Sequence, residues 1–270
     1  MPGLLAWCGE DLVGHCAGVA VVAWRLYRVE WVRLAERLSR GGVELPIWAL
    51  PLAAALHDVG LALPCYQAEI ERYCRDPKPW GARLKGHEAA SAYAAAAVLA
   101  GMEERGYPLS PGEAAGLWAA AKAAMLHHHD AVTSSLAPPG CSLDAAITDG
   151  IPVMLDVLGA ACRLAGGRGL PCPGWLLSPE PPRRPPGSEV TDSLILEPRG
   201  LGPAALRAYR VAATFLTGVV ALADSLVSSL CRLGSPGWLG AQLARERPGL
   251  SGELEGPLAR AACGGGGPGG

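Results

Sequence analysis

The segment "VAATFLTGVVALADSLVSSL", residues 211–230, constrains the fold more than any other stretch. It is long and apolar enough for a helix to cross a bilayer. Asp224 sits well inside it, however, and Ser and Thr recur on several turns. A carboxylate at that depth is costly in lipid. In a water-soluble chain the same segment is a buried helix carrying one acid, which needs a cation or hydrogen-bond donors beside it. The sequence therefore predicts a core helix, no membrane partner, and a polar centre inside the core.

The rest of the chain is patterned as helix, and strand alternation is scarce. Residues 11–40 form a helical pattern that stops at Gly41-Gly42. Pro46 can start a helix through "IWALPLAAALHDVG", with Pro51 as a possible kink and Gly60 near its end. A short helix is expected near 65–75, and an Ala-rich one over 87–106. "SPGEAAGLWAAAKAAMLHHHD", 110–130, opens with Ser110, Pro111 and Glu113 as a capping box. Further helices are expected over 143–165 and 203–232. Residues 166–202 are rich in Pro and Gly and read as a surface loop insertion. The expected organisation is one all-α domain over 1–262, with 263–270 as a flexible Gly-rich tail.

Composition narrows the function. The chain has 270 residues, 50% of them hydrophobic, so it can bury a sizeable core. A net charge of -2 excludes a globally basic nucleic-acid binder, leaving only local basic surface. Nine cysteines show no C-x-x-C pair, which argues against a cysteine zinc site. Their odd number argues against a complete disulfide framework, so they are expected as small buried hydrophobes. The N-terminus lacks the basic region of a signal peptide, and a cytoplasmic location is expected.

The six histidines are His15, His57, His87, His127, His128 and His129. Each falls near a helix or its end, and several stand in apolar runs. A neutral imidazole beside a carboxylate, as at His57-Asp58, is costly to bury without partners. A divalent cation would serve both, and the two oxygens of Asp58 could bridge two ions. Three consecutive histidines cannot all face one way on a helix, but two can converge where the helix ends. Asp224 completes the set, with Asp156 a weaker rival.

"LHDVG", "KGHEAASA", "MLHHHDAV" and "ALADSLVSS", in that order, resemble the HD-domain superfamily of metal-dependent phosphohydrolases. They are most similar to the stand-alone HD nuclease of type I CRISPR interference systems, the machinery of antiviral defence. The resemblance covers about residues 10–232. It implies an HD-domain helical bundle and two divalent metal ions: manganese, nickel, cobalt or magnesium. The first metal would be held by His15, His57, Asp58 and Asp224, with His57 and Asp58 at the catalytic centre. Asp58 would bridge to a second metal held by His87 and two of the three later histidines. Alignment favours His128 with His129, and His127 with His128 remains open. The family usually reads H-D-x-G-K, whereas Leu61 stands at the lysine position here. Lys85 or Arg83 is a candidate substitute at the phosphate, and Ser91 and Ser225 adjoin the motifs as candidates to touch substrate or the groups that support the ligands.

The implied reaction is hydrolysis of phosphodiester bonds in single-stranded DNA, endonucleolytic first and then by trimming. No P-loop occurs in the sequence, so the helicase that the family works with would be a separate chain. The crRNA-guided effector complex would be a further partner. Arg25, Arg28, Arg33, Arg37 and Arg40 could meet phosphates, and Trp24, Trp31, Tyr66 and Tyr73 could stack on bases or fill core. Two other readings use the same scaffold: a nucleotide or cyclic-nucleotide phosphohydrolase, and a non-catalytic interaction subunit, which Leu61 favours.

Overall fold

A computed structural model describes residues 3–40, 44–78, 82, 84, 86–104, 143–172, 174, 177, 202–235, 237–247 and 263. Among these the protein is helical apart from one small hairpin. Strand β1 (Leu5–Trp7) pairs antiparallel with β2 (Glu10–Asp11). The Asp11 carboxylate caps the next helix, α1 (Leu12–Ser39), by accepting a 2.6 Å hydrogen bond from the Gly14 N–H. Helix α1 stops just before Gly41-Gly42, as the sequence predicts.

Helix α2 (Ala49–Leu56) is buried on every side, which matches its almost unbroken apolar sequence. Pro51 falls in its first turn, where the backbone N–H has no intrahelical partner to lose. It therefore causes no break. His57 closes the helix, and a 3-10 turn at Val59–Ala62 leads into α3 (Pro64–Arg75). Helix α4 (His87–Glu104) and α5 (Leu143–Gly166) follow. Helix α6 (Pro203–Leu233) ends on Gly234, whose φ of 66° is the left-handed cap that glycine accepts without strain. Helix α7 (Gly237–Glu246) comes last. The helix expected over 110–130 and most of the 166–202 loop lie outside the described residues.

The first half of α1 is the centre of the core. Residues from His15 to Ala23 are all buried, and α2, α5 and α6 pack around them. Helix α6 presents a stripe from Ala208 through Leu216, Val220, Ala223 and Val227 to Leu230. This is the segment whose length and hydropathy would also suit a membrane span. Its buried face includes Asp224, which turns toward α1 and α2 rather than toward lipid.

Two local devices fix the ends of these helices against one another. Gly60 lies so close to α4 that a Cβ there would sit 2.2 Å from the His87 carbonyl oxygen and 2.7 Å from the Ser91 nitrogen. The Gly60 N–H donates to Ser91 Oγ at 2.9 Å. Gln67, on α3, holds the Leu5 N–H and carbonyl and the Leu61 carbonyl, all within 2.8 Å. The hairpin is thereby fastened over the 3-10 turn.

The cysteines depart from expectation. Cys8 is disulfide-bonded to Cys74, tying the hairpin to the end of α3, and Cys231 to Cys263. Cys65 is disulfide-bonded as well. Cys16, Cys162 and Cys172 are free, and the first two are buried. Cys263, the first residue of the expected flexible tail, is thus anchored to α6. Pairing depends on Cα atoms about 5.5 Å apart, a distance that sequence spacing does not encode.

Candidate metal centre

Four of the expected ligands meet at the junction of α1, α2 and α6. His15 stands one turn into α1, His57 caps α2, Asp58 begins the 3-10 turn, and Asp224 projects from α6. All four are buried, with ligand atoms within 4.8 Å of one another. His15 Nε2 lies 3.3 Å from His57 Nε2 and 3.3 Å from Asp224 Oδ1. Asp58 Oδ2 is 3.5 Å from each of the two Nε2 atoms, and His57 Nε2 is 3.8 Å from Asp224 Oδ1. Bonds of about 2.1 Å to one ion set adjacent donors about 3.0 Å apart in an octahedron and about 3.4 Å apart in a tetrahedron. The cluster is therefore close to the dimensions of one coordination sphere.

The second oxygen of Asp58 faces the other way. Its Oδ1 is 3.1 Å from His87 Nε2, at the start of α4. One carboxylate thus stands between the four-residue cluster and a third imidazole. His127, His128 and His129, the expected remaining ligands on that side, lie outside the described residues.

Each imidazole is oriented through its far nitrogen. His57 Nδ1 donates to the Ala54 carbonyl at 2.7 Å, and His87 Nδ1 to the Leu84 carbonyl at 2.6 Å. His15 Nδ1 bonds Glu10 Oε1 at 2.7 Å. With Nδ1 engaged on an acceptor, a neutral imidazole offers its Nε2 lone pair to the centre. The donor set of nitrogens and carboxylate oxygens suits a first-row divalent metal better than calcium. The residues present fit such an ion.

The electrostatics point the same way. Burial alone would lower the His15 imidazole, but hydrogen bonds to Asp224, Asp58 and Glu10 outweigh it and hold it well above the usual histidine value. Burial also opposes charge on His87, yet Asp58 raises it to about 9. Burial would raise Asp224, but His15 and His57 hold it well below the ordinary carboxylate range. Two acids and three imidazoles in so little space call for positive charge. In the metal-free protein, protons on His15 and His87 provide it.

The centre opens into a pocket of about 320 Å³ lined by Asp58, Leu61, His87, Asp224, Ser228 and Arg232, among others. Ser228 and Arg232, with their neighbours Glu10 and Trp7, escaped the sequence reading. Glu10 orients His15 and is itself gripped at Oε2 by Arg232 Nε at 2.8 Å. Trp7 lies under the Arg232 guanidinium at 5.0 Å. Ser228 Oγ donates to Asp224 Oδ1 at 3.2 Å. Ser228 and Arg232 lie four and eight residues beyond Asp224, one and about two turns up the same helix, and that spacing is the signal that could have found them.

Other candidates fall elsewhere. Ser91 is fully buried, accepts from Gly60 and so braces the turn, and does not line the pocket. Ser225 is exposed beside Asp224 and does not line the pocket. Asp156 is exposed on α5, outside the cluster. Lys85 and Arg83 lie outside the described residues. Arg25, Arg28, Arg33, Arg37 and Arg40 are exposed on the distal half of α1. Trp31 is core, Tyr66 meets the His87 ring edge-on, and Tyr73 packs against Trp7.

The family profile described as "Cas3, HD domain" matches residues 9–230. The chain belongs to the Cas3 HD-domain family. Membership supports an HD-type, metal-dependent nuclease of CRISPR systems. The comparisons find no match among curated proteins and none among solved structures. The matched span begins beside Glu10 and ends six residues after Asp224, so it contains every buried candidate ligand described above.

Proposed function

We propose that this Cas3 HD-domain protein hydrolyses phosphodiester bonds of single-stranded DNA, cutting internally and then trimming. It would work with a helicase and a crRNA-guided effector complex in the cytoplasm. The observation that carries the reading is Asp58, which presents one oxygen to the His15–His57–Asp224 cluster and the other to His87. That arrangement supports two divalent ions, manganese, nickel, cobalt or magnesium, flanking one carboxylate. When bound, such a pair lowers the pKa of water and neutralises charge that develops on a phosphate.

The chain's own residues prepare the site for this. Ala54 and Leu84 fix two imidazoles through their backbone carbonyls, so His57 and His87 act as ligands and not as general bases. Glu10 does the same for His15 and strengthens it as a donor. Ser228 steadies the Asp224 carboxylate. Leu61, 2% exposed, closes one wall against water without adding charge.

The test pairs elemental analysis with cleavage of a single-stranded oligonucleotide, for the wild type and Asp58→Ala. The expected result is loss of both metal and cutting in the variant. Retention of either at the wild-type level refutes the assignment. A panel of nucleotides and cyclic nucleotides, run with manganese or nickel, separates the nuclease from a small-molecule phosphohydrolase. Metal without cleavage of any of these, with the helicase present, would indicate a non-catalytic subunit.

A further inference from the structure

A phosphodiester entering the pocket needs a donor for its non-bridging oxygens besides any ion at the cluster. Leu61 offers none. Among the described residues lining the pocket, Arg232 alone carries a guanidinium or ammonium. Its side chain is 35% exposed. Two contacts hold it in place: Nε donates to Glu10 Oε2, and the guanidinium lies over the Trp7 ring. The Glu10 pair occupies one of five N–H donors. No hydrogen bond from the Nη groups occurs among the described residues, so the planar outer edge of the fork remains to be matched.

Arg232 and Trp7 also line a second, larger pocket of about 620 Å³, shared with Glu10, His15, Cys231 and Cys263. The Trp7–Arg232 pair is therefore a rib between two adjoining hollows, and only one of them contains Asp58, His87 and Asp224.

We propose that Arg232 is a substrate-binding residue that grips a backbone phosphate of a single strand laid across this rib, from the ligand cluster toward the larger pocket. The proposal rests on the nuclease reading and deepens it. A guanidinium held by a carboxylate and an aromatic face is pre-organised, and its fork matches two phosphate oxygens at once. Trp7 and Glu10 act through Arg232 as positioning residues.

The experiment compares wild type with Arg232→Gln in the full, manganese-loaded chain. It measures oligonucleotide cleavage over a range of salt, metal content and a thermal melt. Arg232→Gln should raise KM about tenfold with metal content unchanged. It should also flatten the plot of log KM against log salt by about 0.7, the value for one lost contact to a single strand. Arg232→Lys should restore the slope and part of the KM. If Arg232→Gln fails to fold, Arg232→Met carries the same comparison. If wild type cleaves and the variant's KM and slope are unchanged, the Arg232 assignment is overturned and the nuclease reading stands. If the slope is unchanged while metal is lost, Arg232 serves only to brace Glu10 and His15, which also overturns it. A wild type that holds metal but never cleaves single-stranded DNA overturns the nuclease reading itself.

Discussion

Loading the site with metal should reverse the way stability depends on pH. In the metal-free protein, His87 is raised to about 9 from an ordinary 6.5, and His15 is raised as well. A group whose folded pKa is raised contributes stability that is complete below its unfolded pKa and is lost as pH rises through its folded pKa. His87 alone spans about 2.5 pH units, or about 3 kcal/mol, lost between roughly pH 6.5 and 9. Metal coordination requires both imidazoles to release their protons. The loaded protein should then gain stability up to about pH 6.5 and stay level beyond it. Metal-induced stabilisation should grow by about 1.4 kcal/mol per pH unit for each displaced proton. Denaturant unfolding at pH 6 to 9, after chelation and with excess manganese, reads both slopes directly. An increment from manganese that is the same at every pH would refute the reasoning, because the ion would then displace no proton from His15 or His87.

Three further outcomes test how the site is built. Gly60→Ala places a methyl against backbone atoms of His87 and Ser91, so α4 must shift; a loss of about 1–3 kcal/mol in urea denaturation is expected, with weaker metal binding on the His87 side. Glu10→Gln keeps an acceptor for His15 Nδ1 but removes the charge, and metal affinity should fall about tenfold by competition titration; an unchanged affinity would show that Glu10 does not tune His15. Cys8→Ser with Cys74→Ser opens a loop of 66 residues; chain entropy puts the cost near 4 kcal/mol, which denaturant unfolding of the double variant against the wild type, both without reductant, should reproduce.

The helices were legible because glycine and proline punctuate them. Helix α1 ends at Ser39, shortly before Gly41-Gly42 in the sequence, Pro203 starts α6, and Pro64 starts α3. His15, His57, Asp58 and Asp224 were legible because titratable residues inside apolar runs demand compensation. Glu10, Trp7 and Arg232 were not. Each reads in sequence as an ordinary residue near the end of an element. They gain meaning only when a two-stranded hairpin is laid over the end of α6, a placement set by Gln67 and the Cys8–Cys74 bond. For Ser91 the sequence left two roles open, because its place beside His87 said nothing of the turn it faces; its bond to Gly60 is the supporting one.

The division between what could and could not be read has a physical basis in the three imidazoles. His57 and His87 are oriented by carbonyls three residues upstream, and His15 by a carboxylate five residues upstream. Each ring is thus aimed by its own stretch of chain, at little entropic cost beyond forming the helix or turn. Long-range packing has only to bring the pre-aimed rings together around Asp58, and the close approach at Gly60 sets that distance for His87. Such a site tolerates variation on the helix exteriors, because its precision comes from local hydrogen bonds and one narrow contact. Its charge is different in kind: the Glu10–Arg232 pair spans 222 residues of sequence and joins the orientation of His15 to the wall of the pocket. The same link that steadies a ligand therefore also positions the guanidinium at the pocket edge.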